Sequence, residues 1–154
     1  MKIITTSVEG ILIIEPQIFK DKRGFFMETY NRNRYNASGI NTTFVQDNLS
    51  YSLKNTVRGL HFQIKHPQAK LIQVISGEIF DVAVDLRPDS ATFGKWTGIH
   101  LSDENRRQVF IPEGFAHGFC VLGESALLSY LCTTEYHADH DAAVAWDDPD
   151  IGIR

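Results

Sequence analysis

Residues 70–87 read "KLIQVISGEIFDVAVDLR", two apolar runs on either side of Ser76 and Gly77. In the second run the alternation of a β-strand puts Phe80, Val82, Val84 and Leu86 on one face and Asp81, Ala83 and Asp85 on the other. The first face is core; the second either meets solvent or lines a polar cavity. In the first run Lys70 shares a face with Ile72 and Val74, so its stem packs on apolar surface. "SG" between the runs reads as a hairpin turn joining strands 70–76 and 78–87.

Strand signals of the same kind recur on both sides. They include "ILIIEP" (11–16), "GFFMETY" (24–30), "TFVQDNLSYS" (43–52) and "TVRGLHFQ" (56–63) before it. After it come "KWTGIHLS" (95–102), "QVFIP" (108–112), "GFCVL" (118–122), "ALLSYLCT" (126–133) and "AAVAW" (142–146). β-Branched and aromatic residues fill them, and Gly, Pro, Asp, Asn and Ser separate them. Only "NRNRYNASG" (31–39) reads as a short helix. Many strands without intervening helices predict an all-β sandwich or barrel, and the mouth of a small barrel can hold one ligand. Residues 1–154 make one domain of ordinary size, without repeats or a linker.

Composition narrows the partners. Lys and Arg number 15 against 19 Asp and Glu, a formal charge of −4. Such a surface attracts neither nucleic acid nor an anionic membrane, though a local basic pocket for a small anion remains compatible with it. The start, "MKIITTSVEGILIIEP", is too broken for a signal peptide or a membrane span, so the expected location is cytoplasmic. Cys120 and Cys132 sit in apolar strand settings and read as buried free thiols.

Several polar residues interrupt the apolar pattern. In "RGLHFQ" (58–63) alternation turns Arg58 and His61 to opposite faces, unless Gly59 marks a bulge. His61 is either a hydrogen-bonded structural histidine or a functional one. The same choice holds for His117 in "IPEGFAHGF" (111–119), and Tyr130 in "SYLC" needs a hydroxyl partner if buried. "HADHD" (137–141) offers metal donors in a polar loop, but without a cysteine or an ordered strand it makes a poor zinc site. There is no G-x-S-x-G elbow and no glycine-rich phosphate loop.

"FVQDN" (44–48), "VRGLHFQ" (57–63), "GEIFDVAVDLR" (77–87), "IPEGFAHGF" (111–119) and "WDDPDIGI" (146–153), in this order, resemble the dTDP-4-dehydrorhamnose 3,5-epimerase family. "DKRGFFMETYN" (21–31) and "TFGKWTGIHLS" (92–102) fit the same pattern. The resemblance implies a cupin-type jelly roll, a homodimer and no metal or other cofactor. It implies epimerisation at C3 and C5 of dTDP-4-dehydro-6-deoxy-D-glucose on the way to dTDP-L-rhamnose. Carried over by position, His61 would be the general base, Tyr130 the general acid and Lys70 the cation at the C4 carbonyl. Arg23, Glu28, Gln46, Asp47, Asn48, Arg58, His117 and Asp141 would bind substrate, Asp141 standing where the family often has glutamate.

The chemistry fits those residue types. Carbons beside a ketone become acidic because the charge moves onto the carbonyl oxygen, which a cation stabilises. Histidine is the side chain best matched to take a proton near neutral pH, and inversion requires an acid on the opposite face. The resemblance also implies a tail beyond the "IGI" segment whose aspartate pairs with the histidine. Residues 1–154 lack it: either Asp81 or Asp85 substitutes, or the chain is a truncated product, or activity is reduced. The alternatives are an epimerase acting at one carbon of a related nucleotide sugar and a jelly roll that binds such sugars without catalysis.

Overall fold

The computed structural model describes residues 1–154. Its strands are β1 (Lys2–Thr5), β2 (Leu12–Glu15), β3 (Ile18–Asp21), β4 (Gly24–Met27), β5 (Gln46–Leu53), β6 (Val57–Gln63), β7 (Lys70–Asp85), β8 (Trp96–Ser102), β9 (Gln108–Ile111), β10 (Phe115–Cys132) and β11 (Asp141–Ala143). One helix, α1 (Arg32–Ala37), and a 3-10 turn at Ala138–His140 complete it. No helix is long and apolar enough to cross a membrane. All-β with one short helix is the class that the strand pattern implied.

Ser76 and Gly77 do not form the expected hairpin turn. β7 runs straight through them as one strand of 16 residues, and the runs 118–122 and 126–133 likewise join into the 18 residues of β10. These two long strands pair antiparallel from Asp85↔Phe115 to Lys70↔Cys132. Gly77, at φ +89, lies so close under β10 that a Cβ there would meet Ser125 O at 2.1 Å. Its glycine therefore serves a bend beneath a crossing chain, matched by a register shift between Val121 and Ala126. The bends divide the long pair between two sheets. One runs β1-β2-β9-β7-β10-β5 and the other β8-β7-β10-β6-β11. β3 and β4 form a separate hairpin.

The main core lies between the sheets and includes Ile72, Ile79, Ala83, Leu101, Val109, Ile111, Val121 and Leu128. Fully burying one such aliphatic side chain contributes about 1.5–3 kcal/mol. Neither face of 80–86 meets solvent as an open surface. Val82 and Val84 pack outside the second sheet under Val144, Ile151 and Ile153. The face bearing Asp81, Ala83 and Asp85 points inward, and all three are buried. Asp85 survives there because Arg87, Ser90 and Thr92 all donate to it. Burial alone would raise its pKa, but these hydrogen bonds outweigh burial and hold the carboxyl far below the usual range.

Helix α1 starts where Asn31 caps it, accepting from Arg34 N at 3.2 Å. Its one buried residue, Tyr35, hydrogen-bonds Gln108 Oε1 at 2.6 Å, tying the helix to β9. Burial pushes that phenol up to about 12.

Candidate active site

A cavity of about 1130 Å³ opens between the two sheets. The first sheet contributes Gln46, Asn48, Lys70 and Tyr130; the second contributes Arg58, His61 and His117, with Asp141 from β11. Eight of the positions singled out from the sequence thus share one space. Arg23, Glu28 and Asp47 do not reach it. Arg23 binds Asp21 at the tip of the β3–β4 hairpin, Glu28 pairs with Arg34 at 3.2 Å, and Asp47 accepts from Ser129 Oγ.

Gly59 is what brings Arg58 and His61 together. His61 lies opposite His117, and Arg58 opposite Phe119, so Gly59 and Leu60 face Gly118 alone. That extra residue is a β-bulge. Gly59 adopts φ +115, and a Cβ on it would stand 2.5 Å from Gly118 Cα and 2.6 Å from His117 O. The bulge undoes the alternation that would have turned the two side chains apart. Arg58 is then fixed by Nε donating to Ser52 Oγ at 2.8 Å.

The titratable groups divide by environment. His117 is held by Asp81, whose Oδ2 lies 2.8 Å from Nε2, while Asp81 Oδ1 makes no hydrogen bond. Burial lowers the Lys70 pKa, opposed by the nearby Cys132, Asp81 and Asp141. Burial also raises the Tyr130 phenol, helped by Cys132 and opposed by Arg58. Its hydroxyl therefore stays protonated at neutral pH, as a proton donor requires. Gln46 Nε2 donates to Asn48 Oδ1 at 2.8 Å, and Asn48 Nδ2 reaches Cys132 Sγ at 3.7 Å, so these two amides form one wall.

Neither carboxylate expected beside His61 is there. Asp81 is engaged by His117, and Asp85 by Arg87, Ser90 and Thr92. The carboxylate near His61 belongs to Asp141, whose Oδ2 lies 3.6 Å from Nδ1. Sequence reading also missed Ser52, Tyr136 and the cavity position of Cys132. Ser52 carries a weak signal, since it lies on the inward-facing side of β5 with Ser50 and Asn48. Tyr136 lies in a loop and gave none.

The family model for dTDP-4-dehydrorhamnose 3,5-epimerase matches residues 5–154. The chain belongs to the dTDP-4-dehydrorhamnose 3,5-epimerase family. It is 56% identical over 152 residues to the dTDP-4-dehydrorhamnose 3,5-epimerase of Methanothermobacter thermautotrophicus, covering 99% of this chain and 82% of that one. The crystal structure of dTDP-6-deoxy-D-glucose-3,5-epimerase from Legionella pneumophila, in complex with dTDP-4-keto-L-rhamnose, superposes with a TM-score of 0.97. Identity there is 49%, over 99% of this chain and 81% of that one. A 3'-monoepimerase from Streptomyces bikiniensis in complex with dTDP-quinovose is more distant, at TM-score 0.89 and 33% identity over 96% and 76% of the two chains. The two sheets sharing bent strands are thus the cupin-type jelly roll of this epimerase family, and the chain is an isomerase of that class.

Proposed function

We propose that this chain converts dTDP-4-dehydro-6-deoxy-D-glucose to dTDP-4-dehydro-L-rhamnose by removing and returning protons at C3 and C5. The observation that carries the reading is the placement of base and acid on different walls of one cavity, His61 on β6 and Tyr130 on β10 beyond its bend. Inversion at carbon needs a proton taken from one face and delivered to the other, and this arrangement supplies both.

His61 takes the proton from C3 or C5; the C–H bond breaks, an N–H bond forms, and the electron pair moves into a double bond to C4. The C4 oxygen becomes an enolate, which the Lys70 ammonium stabilises, a contribution worth ~10²–10³ in rate for one such donor. Tyr130 then gives its hydroxyl proton to the opposite face and the carbonyl returns. Solvent reprotonates Tyr130 and deprotonates His61. The diphosphate falls to Arg58, whose planar guanidinium suits phosphate oxygens. Gln46, Asn48, His117 and Asp141 are the remaining substrate contacts from this subunit.

Arg23, Glu28 and Asp47 enter the reading through a homodimer. β5 is an edge strand whose Leu49, Tyr51 and Leu53 are 68%, 60% and 63% exposed, and Phe25 and Phe26 protrude from the β3–β4 hairpin. A second copy of the chain covers this apolar surface, and the hairpin carries Arg23 to its partner's cavity. The acidic net charge supports a small nucleotide sugar rather than nucleic acid or membrane as partner, in a cytoplasmic biosynthetic enzyme.

The second reading, epimerisation at one carbon, is favoured only by the likeness to the 3'-monoepimerase. Proton NMR of the reaction in D₂O separates the two. Deuterium at both C3 and C5 is expected; deuterium at one carbon establishes the single-site reaction, and none at either removes epimerisation altogether.

A further inference from the structure

Three histidines that the epimerase reading leaves unused stand together beside the rim of the cavity, formed there by Ile64, Pro67 and Tyr136. His137 and His140 come from "HADHD" (137–141), which alone offers two imidazoles in a polar loop. The fold adds His66 from the loop between β6 and β7. Ring centroids are 4.5 Å apart for His66 and His137, 5.6 Å for His66 and His140, and 6.4 Å for His137 and His140. His61, His100 and His117 each have a carboxylate within reach, but these three have none. His66 is exposed and the other two are half-buried, so the group is open to solvent. Gln63, the buried last residue of β6, and Ile64 after it hold the backbone of all three. Gln63 Oε1 accepts from His137 N at 2.6 Å and Nε2 donates to His66 O at 2.7 Å, while Ile64 N donates to His140 O at 2.9 Å. The cluster is thus ordered by a strand end, not left to two free loops.

We infer that His66, His137 and His140 form a binding site for a first-row transition-metal ion of the nickel or copper type. The three separations place the ring centroids on a circle of radius about 3.3 Å, and an imidazole centre stands about that far from an ion it ligates, since metal–nitrogen bonds run to about 2.1 Å. One ion at the centre of that circle therefore serves all three rings. Seen from it the rings are about 90°, 120° and 155° apart, so the three ligands and the ion share a plane. Zinc asks for a tetrahedron, whereas Ni(II) and Cu(II) accept nitrogens in one plane. As they stand the rings offer no converged set of three donors. Turning an imidazole about its Cβ–Cγ bond swings its nitrogens while nearly fixing its centre, and that torsion is a soft one. The bound ion ties the loop after β6 to the loop after β10, both of which border the cavity. It takes no part in the proton transfers of His61 and Tyr130.

The test titrates the full chain with nickel chloride by isothermal calorimetry and repeats the titration on His66→Asn and His100→Gln. Asparagine tolerates the left-handed backbone of His66, at φ +56, so the first change removes the ring alone. One ion per chain is expected, with affinity falling at least about tenfold in His66→Asn and unchanged in His100→Gln. The thermal midpoint should rise by about 5–10 °C at a hundredfold excess of nickel over Kd, and should lose that rise in His66→Asn. With Cu²⁺ in place of Ni²⁺, the electron paramagnetic resonance spectrum should carry splitting from three nitrogens in the wild type and fewer in the variant. Absence of nickel binding, or equal binding by wild type and His66→Asn, would overturn the site. A loss of the same size in His100→Gln would also overturn it, as the mark of adventitious binding to surface histidines. Should His66→Asn not fold, His140→Gln decides by the same readouts. None of these measurements uses the sugar substrate, so they stand whatever becomes of the epimerase reading.

Discussion

Gly59 and Gly118 cross so closely that the backbone of one occupies the space of a side chain on the other: a Cβ on Gly59 would lie 2.5 Å from Gly118 Cα. This contact holds the bulge that aims Arg58 and His61 into one cavity. Gly59→Ala would add a steric clash to an unfavourable φ of +115. The expected loss is about 3 kcal/mol of stability, measured by urea unfolding, with turnover falling further than the folded fraction. A variant of wild-type stability and activity would show that the bulge is dispensable.

The position that gives Lys70 its proposed role comes at a cost in stability. A buried ammonium with a lowered pKa is one that the folded state solvates poorly. The penalty is fully present below the folded pKa, fades as pH rises from there to the ordinary value of 10.5, and is gone above it. Lys70→Met should therefore raise the thermal midpoint at pH 7 by about 2–4 °C, corresponding to roughly 1 kcal/mol for a chain of this size. The same change should remove turnover by ~10²–10³ with dTDP binding intact. Calorimetry and isothermal titration check the two halves separately.

Removing the hydroxyl of Tyr130, the proposed acid, should separate the two halves of inversion. Tyr130→Phe should still lose a substrate proton to solvent through His61, while inverted product forms ~10²–10⁴ more slowly. The measurement is deuterium uptake against product stereochemistry in one NMR time course. Full inversion at the wild-type rate would assign the acid elsewhere.

Asp85 is a stability residue outside the cavity lining, and its pH signature tells it apart from the site. Its folded pKa is depressed, so its stabilisation is present above the ordinary value of 3.8 and is lost as pH falls through the folded one. Asp85→Asn should cost about 3 kcal/mol at pH 7 by leaving Arg87 without its carboxylate. The gap between wild type and variant should narrow in unfolding curves taken below pH 4.

Much of the molecule could be read from residue order alone. Strand alternation put Lys70 with Ile72, and both line the cavity. Glycine inside "VRGLHFQ" signalled a bulge, and a bulge is present. The short helix expected within 31–39 is present at Arg32–Ala37. What failed had a common cause. Alternation tells which residues share a face but not what covers it, so Asp81 gave no sign of His117 on β10, nor Asp85 of Arg87, Ser90 and Thr92 in the loop that folds back on it. Ser76-Gly77 looked like a reversal because a glycine that relieves crowding under another strand carries the same letter as one that turns the chain. Asp141 was named as a substrate contact, but its nearness to His61 was not foreseen, because it depends on β11 pairing with β6, a contact between segments about 80 residues apart that no local pattern encodes.

β7 and β10 each belong to both sheets, and this bears on how the protein comes apart. Neither sheet has a complete set of strands of its own, so neither can persist after the other is lost. The residues that line the cavity are distributed over the same shared strands, with Lys70 and Tyr130 before and after the bends and His117 on the far side. Unfolding is then expected to be cooperative, with dTDP binding, near-UV and far-UV signals vanishing at a common denaturant midpoint. In such a molecule the active site has no local stability to lose; it disappears only when the whole domain does.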